Sequence, residues 1–294
     1  MARDRRTPRN SGFERLWFGT AASNLADGIL VSAAPLLATT ITRDPVLIAG
    51  LVVAQRLPWL VFTLISGALV DRIDRRLLLV AANWGRAATL GLLALSLALD
   101  VRNLAVLYAT VFVLGIAETI EDTAALAVLP AIVDRTQLER ANGRIYAAQS
   151  VFNELIGPPI GGLLFAGAAV AAFATGGVAF AVAALVLAAL PLARSLPPES
   201  GHEPMIAAIR QGFAWFWRNR LIRTVALMSG AVNLFTFAGL SVLVLVAQQR
   251  LGLDAGGYGL LLAGGAVGGV VGGLLADRIV AMLGSGRAIF ASNL

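Results

Sequence analysis

The sequence predicts an all-α, polytopic membrane protein, and three observations carry that reading. Of 294 residues, 58% are hydrophobic and 14% charged, with a mean hydropathy of +0.80. A soluble domain carries about a quarter charged residues, so this chain could not solvate the surface of ordinary globular domains. Apolar runs recur along the chain, each long enough for the about 20 helical residues that cross a hydrocarbon core. They are continuous and rich in Leu and Ala, whereas a membrane barrel needs short alternating segments. The basic residues, all 23 of them Arg, fall almost entirely on alternate loops.

The elements follow in order. Residues 1–14 form a polar, Arg-rich cytoplasmic tail, with no cleavage site of a secretory signal. Apolar spans are expected at about 15–40, 46–70, 77–99, 103–127, 146–166 and 169–193, which together make a six-helix bundle over 15–193. Residues 194–222 form the longest polar connection. It opens on the helix breaker Leu196-Pro197-Pro198 and continues from Met205 to Arg223 as an amphipathic segment with Phe213, Trp215, Phe216 and Trp217. Aromatics beside Arg residues suit a helix lying at the cytoplasmic interface. Spans seven and eight are expected at 223–247 and 256–277, so 223–294 reads as helices seven, eight and the start of a ninth.

Eighteen Arg residues fall on the side of the N-terminus and three, Arg43, Arg102 and Arg250, on the other. By the positive-inside rule the N-terminus is cytoplasmic, and the chain is a multi-pass protein of a cytoplasmic (inner) membrane. The pI near 11 therefore reflects topology, and no nucleic-acid partner is expected. With no Cys and one His, His202, thiolate sites, His-ligated metals and a Ser/His/Asp triad are excluded. No cofactor, no metal and no enzymatic activity are expected. His202 itself reads as part of a flexible loop.

An internal repeat is visible. Gly67-Ala68-Leu69-Val70-Asp71-Arg72 follows span two, and Gly273-Leu274-Leu275-Ala276-Asp277-Arg278 closes span eight, 206 residues later. A similar offset brings Asn24-Leu25 onto Asn233-Leu234. Duplication of a six-helix half is the better explanation.

Several motifs resemble the major facilitator superfamily. Gly67, Leu69, Asp71, Arg72, Arg75 and Arg76 match its loop 2–3 signature, with Asp74 where Gly is usual. Gly157-Pro158-Pro159-Ile160-Gly161-Gly162 is similar to the signature of antiporters, on Gly157, Pro158, Gly161 and Gly162. Leu138-Glu139-Arg140-Ala141-Asn142-Gly143 resembles the branch of enterobactin exporters and macrolide efflux proteins. The resemblance implies a major facilitator-type bundle and a secondary active transporter. Such a protein exports a drug, macrolide-like compound or siderophore, by proton antiport and alternating access. It also implies twelve helices, so a chain of 294 residues reads as a truncated product or fragment. The alternatives are an importer of a small nutrient and a non-transporting membrane protein.

The residues support a gate and a charged site in their own right. Gly67 is expected to permit a tight cytoplasmic turn. Asp71, Arg72, Arg75 and Arg76, with Gly273, Asp277 and Arg278 in the second half, suit a charged latch between halves. Pro158 and Pro159 must bend span five, and Gly161 and Gly162 admit a neighbouring helix. The stripe Gly264, Gly265, Gly268, Gly269 and Gly272 reads as packing.

Ionisable residues inside spans are costly and mark function. Asp27, Glu118, Glu154 and Asp122 are the candidates for proton coupling or cation binding. Arg56 and Arg86 are the counter-charges. At about 1.5 Å per residue, Arg86, Glu118 and Glu154 all lie roughly 12–14 Å deep, and Asp27 and Arg56 roughly 15–20 Å. The pairs expected from depth are Asp27 with Arg56, and Arg86 with Glu118 or Glu154. Glu121 and Asp122 are read with equal weight as solvated near the cytoplasm. The implied partners are a small-molecule substrate, protons and membrane lipids. Oligomeric state is not legible in the sequence, and a monomer is the default.

Overall fold

A computed structural model describes residues 8–191 and 214–283. All regular structure among them is helical. Helix α1 spans Pro8–Ile41, α2 Pro45–Arg72, α3 Arg75–Ala98 and α4 Leu104–Ile132. A short 3-10 turn at Arg135–Gln137 leads into α5, Leu138–Gln149. A π-helical segment, Ser150–Ile156, joins α5 directly to α6, Gly157–Gly167. Helix α7 is Ala169–Ala188, a short α8 occupies 214–218, α9 is Arg220–Gln249 and α10 is Ala255–Leu283.

Polar residues at the ends set these limits. Asp44, Asp74 and Asn103 cap α2, α3 and α4, each side chain accepting backbone N–H bonds of the first turn. Asn219 does the same for α9. Gly252, at φ +64°, ends the chain's run out of α9 in the left-handed conformation that glycine adopts without strain. Asp254 then accepts the Gly257 N–H at 2.7 Å as α10 begins.

Seven helices among the described residues are long and apolar enough to cross a membrane. The expected span at 146–166 is the exception. It is the larger, C-terminal part of a continuous helical run from Leu138 to Gly167 that changes type on the way. Pro158 and Pro159 have no N–H, so the carbonyls one turn earlier lose their α-helical donors. The helix responds by widening: Gly157 N donates to Phe152 O, five residues back.

Helix α1 is the centre of the first bundle, packing on α7, on the α5–α6 run and on α4. Helix α3 packs on α7 and α4, and α2 packs on α4. Helices α9 and α10 join this bundle through α2 and α6 respectively. Large apolar side chains such as Leu60 and Phe235 point outward, as a lipid-facing surface requires.

Two apolar clusters fill the interior. One contains Phe13, Leu16, Leu79, Leu129 and Leu187, near the helix ends on the N-terminal side. The other contains Ile29, Leu37, Leu90, Leu107 and Phe173, toward the opposite side. On each of α1, α3 and α4 the sequence positions between the clusters are polar: Ser23, Arg86 and Glu121. The charged site lies at that level.

The glycines differ from expectation. Gly67 lies inside α2 rather than in the turn, and a Cβ there would meet nothing within 4 Å. The turn is made by extended Ile73 and the Asp74 cap instead. Gly264, Gly265, Gly268, Gly269 and Gly272 likewise have open space around an added Cβ among the described residues. Of the amphipathic segment, residues 205–213 lie outside the described residues. Arg223 donates to Trp217 O at 2.9 Å and lies over its ring at 5.6 Å, joining α8 to the start of α9.

Candidate functional site

Arg86 of α3 is the largest fully buried side chain among the described residues, at 1% exposure. An isolated buried guanidinium is prohibitively costly, and three neighbouring helices supply its compensation. From α1, Asp27 Oδ1 accepts from Nη2. From α4, Glu121 Oε2 accepts from Nη1 at 2.6 Å. Ser23 Oγ, one turn before Asp27, accepts from the same Nη1 at 3.0 Å and donates to Glu121 Oε2 at 2.9 Å. From α7, the ring of Phe180 lies under the guanidinium at 4.0 Å, a cation–π contact in a desolvated place. Arg86 Nε and Asn83 Oδ1, three residues apart on α3, are buried without a hydrogen-bond partner among the described residues. The centre therefore keeps spare donor and acceptor capacity.

The pairing differs from the one that depth predicts. Arg86 takes Asp27 and Glu121, not Glu118 or Glu154. Arg56 does not meet Asp27 and instead lies 5.0 Å over the ring of Phe237 on α9. Glu154 is exposed on the π segment. Glu121 is buried, which removes the solvated reading for it. For Asp27 the residue count places it about a turn deeper than the Arg86 it meets, and on α4 azimuth is the reason. Glu118, Glu121 and Asp122 share one face of α4 by their spacing, and rotation decides which of them reaches Arg86. Glu118 and Asp122 stay within electrostatic range of the Asp27–Arg86 pair, and Arg56 within range of Asp122. One buried cation thus faces four carboxylates drawn from two helices.

Two participants escape the sequence reading. Ser23 precedes Asp27 by one helical turn, a spacing that puts both on one face, and this signal was available. Phe180 carries no such signal, because an aromatic in an apolar span is usually core.

The glycine–proline motif holds the site's scaffold together. A Cβ on Gly28 would lie 2.6 Å from the carbonyl oxygens of Phe152 and Asn153 and 2.8 Å from Gly157 Cα. Gly161 meets Ile29 and Ser32, and Ser32 Oγ donates to Pro158 O at 2.9 Å. On the other side, Gly162 and Gly259 bring α6 against α10. The motif is therefore a two-sided contact, with α1 on one face and α10 on the other. Asn153 reaches Asn24 at 3.5 Å, the outer limit of a hydrogen bond.

In the expected gate, Asp74 caps α3 through the N–H groups of Arg76 and Leu77 at 2.9 and 3.2 Å. Arg75 donates to Ala127 O at 2.8 Å and Arg76 to Leu190 O at 3.1 Å, so both are tied to the first bundle. Asp71 and Arg72 are exposed at the end of α2. Gly273, Asp277 and Arg278 fall on the helical backbone of α10, and their side chains lie outside the described residues.

Comparisons with known proteins agree with this architecture. A family described as transmembrane secretion effector matches residues 7–294. The multidrug efflux pump Tap of Mycolicibacterium fortuitum is 29% identical over 220 residues, 72% of this chain and 53% of that protein. The enterobactin exporter EntS of Shigella boydii is 26% identical over 294 aligned residues, covering 96% of this chain and 67% of the exporter. Tap of Mycobacterium bovis is 29% identical, covering 89% of this chain and 65% of the pump. The chain thus spans between about half and two thirds of the length of these curated relatives. With its apolar helices and this match over nearly every residue, the chain belongs to the transmembrane secretion effector family of the major facilitator superfamily, the multi-pass membrane transport proteins.

Proposed function

We propose that the chain works in secondary active export of a small amphipathic molecule, a drug, macrolide-like compound or siderophore, by proton antiport. The observation that carries this reading is the buried Arg86 centre with its excess of carboxylates. Asp27, whose side chain is 17% exposed, is the accessible member, and Glu121, at 4%, is the sealed one. Proton exchange is assigned to Asp27. A proton on Asp27 leaves Arg86 paired with Glu121, directly and by way of Ser23, and its loss restores the pair with α1. Glu118 and Asp122, near the centre without being bonded to Arg86, provide negative charge for a cationic group of the substrate. Arg56, against Phe237 of α9, sits where the two bundles meet.

Alternating access supplies the motion. The six-helix bundle over 15–193 and the helices of 223–294 rock against each other, with the α6–α10 contact as one hinge region. The connection over 194–222 and the N-terminus lie in the cytoplasm, and the membrane is the inner membrane. The names of the relatives, multidrug efflux pump and enterobactin exporter, support export over import. The test is efflux of fluorescent dyes and antibiotics from cells, with and without a proton ionophore, in the wild type and Asp27→Asn. Efflux that the ionophore abolishes and Asp27→Asn impairs is expected. Efflux indifferent to the ionophore rejects proton coupling.

A further inference from the structure

The flank formed by α3 and α4 carries a groove that the transport reading does not use. Its volume is about 290 Å³, and it is lined by Leu78, Ala82 and Gly85 of α3 and by Val113, Ala117 and Ile120 of α4. Every lining residue is apolar, and on each helix they recur at helical spacing and so share one face. Gly85 deepens it, since a Cβ there would meet nothing within 4 Å.

One end of the groove is basic. Arg75 precedes Leu78 by a turn on the same face, and its Nη1 bond to Ala127 O spans the two helices below the groove. A guanidinium has five donors, and that bond uses one. Arg72 and Arg76 are exposed beside it. Asp74, the acid next to Arg75 in sequence, has its carboxylate turned to the N–H groups of α3. From Arg75 to Gly85 the helix rises about 15 Å, half of a hydrocarbon core of about 30 Å. The groove therefore runs from headgroup level to the middle of the bilayer, the reach of one acyl chain.

We propose that the groove binds an anionic phospholipid, one acyl chain lying between α3 and α4 and the phosphate held by Arg75. An apolar slot open to lipid accepts any chain, so selectivity comes from the headgroup. A basic residue at the membrane surface favours the anionic lipid over a zwitterionic one. The inference rests on insertion of α3 and α4 in a bilayer and not on transport, so it stands or falls apart from the export reading.

Trp84, exposed next to Gly85, reports occupancy. The full chain, with its four other Trp residues replaced by Phe, is reconstituted into vesicles of phosphatidylcholine. Quenching of Trp84 is measured as phosphatidylglycerol or phosphatidylcholine with brominated chains is added. The expected preference for phosphatidylglycerol is about five-fold, the size of one Arg acting near an anionic surface. Arg75→Gln abolishes the preference, and Arg75→Lys keeps most of it. Gly85→Leu fills the groove and lowers quenching by phosphatidylglycerol, a readout that holds even where Arg75→Gln does not fold. Equal quenching of the wild type by both lipids overturns the proposal. So does a preference that survives Arg75→Gln, or displacement by a neutral dye as effective as by the anionic lipid.

Discussion

Replacing Glu121 with Ala removes one of two carboxylates from a guanidinium that is 1% exposed. Two bonds go at once, the 2.6 Å pair with Arg86 and the acceptor that Ser23 holds at 2.9 Å, and a gap opens between α3 and α4. Breaking a buried pair by deleting one partner costs on the order of 3–5 kcal/mol, because the remaining charge stays buried and undercompensated. Glu121→Gln keeps an oxygen for Arg86 and Ser23 and nearly the same volume. It loses only the charge, so the cost should be nearer 1–2 kcal/mol, the difference between a charge-assisted and an ordinary hydrogen bond. The assay is reversible unfolding in mixed micelles followed by tryptophan fluorescence, with wild type, Glu121→Ala and Glu121→Gln in parallel. The order wild type, Gln, Ala is expected, with Ala at least about 1.5 kcal/mol below Gln. An Ala variant within about 1 kcal/mol of wild type refutes the reasoning, since Arg86 would then be compensated by something other than Glu121.

Three further outcomes are expected. Gly28→Ala pushes a methyl into the carbonyls of Phe152 and Asn153 and destabilises by about 1–3 kcal/mol, whereas Gly67→Ala, in open helix, stabilises by about 0.5–1 kcal/mol; melting of both variants checks the contrast. Asp74→Ala removes the cap of α3 and costs about 1 kcal/mol, and Asp74→Ser recovers most of it in the same measurement. Phe180→Leu keeps an apolar side chain but removes the ring 4.0 Å from Arg86, at a cost of about 1–2 kcal/mol; in an Arg86→Met background the same change should cost clearly less, by double-mutant cycle.

How much of this was legible in the sequence depends on which physical variable decides each feature. Hydropathy decides helix existence, and the spans follow the apolar runs closely. Depth along a helix follows from residue count to within about a turn: Arg86 and Glu118 share a level on that count, whereas Asp27 is put deeper, with Arg56, and in the structure meets Arg86. Rotation about the helix axis does not follow from count, and it separates the Arg86–Glu121 pair from the expected Arg86–Glu118 one. The prolines of span five announced a distortion but not its form. A kink and a π-helical widening both answer a missing N–H, and packing against Gly28 favours the second. Asp74 looked like a departure from a motif. As an Asp two and three residues before N–H groups at a helix start, it was a cap in plain sight.

The π-helical segment sets rotational phase. An α-helix turns about 100° per residue, so one residue more or fewer between Gln149 and Gly157 swings all of α6 by that angle. Gly157 and Gly161 would leave α1, and Gly162 would leave α10. The widened turn works like an offset key in a shaft: it lets α5 keep its own orientation at one end while α6 meets two partners at the other. Deletion of the exposed Val151 would thus uncouple α6 from α1 and α10 without removing a charge or a proline.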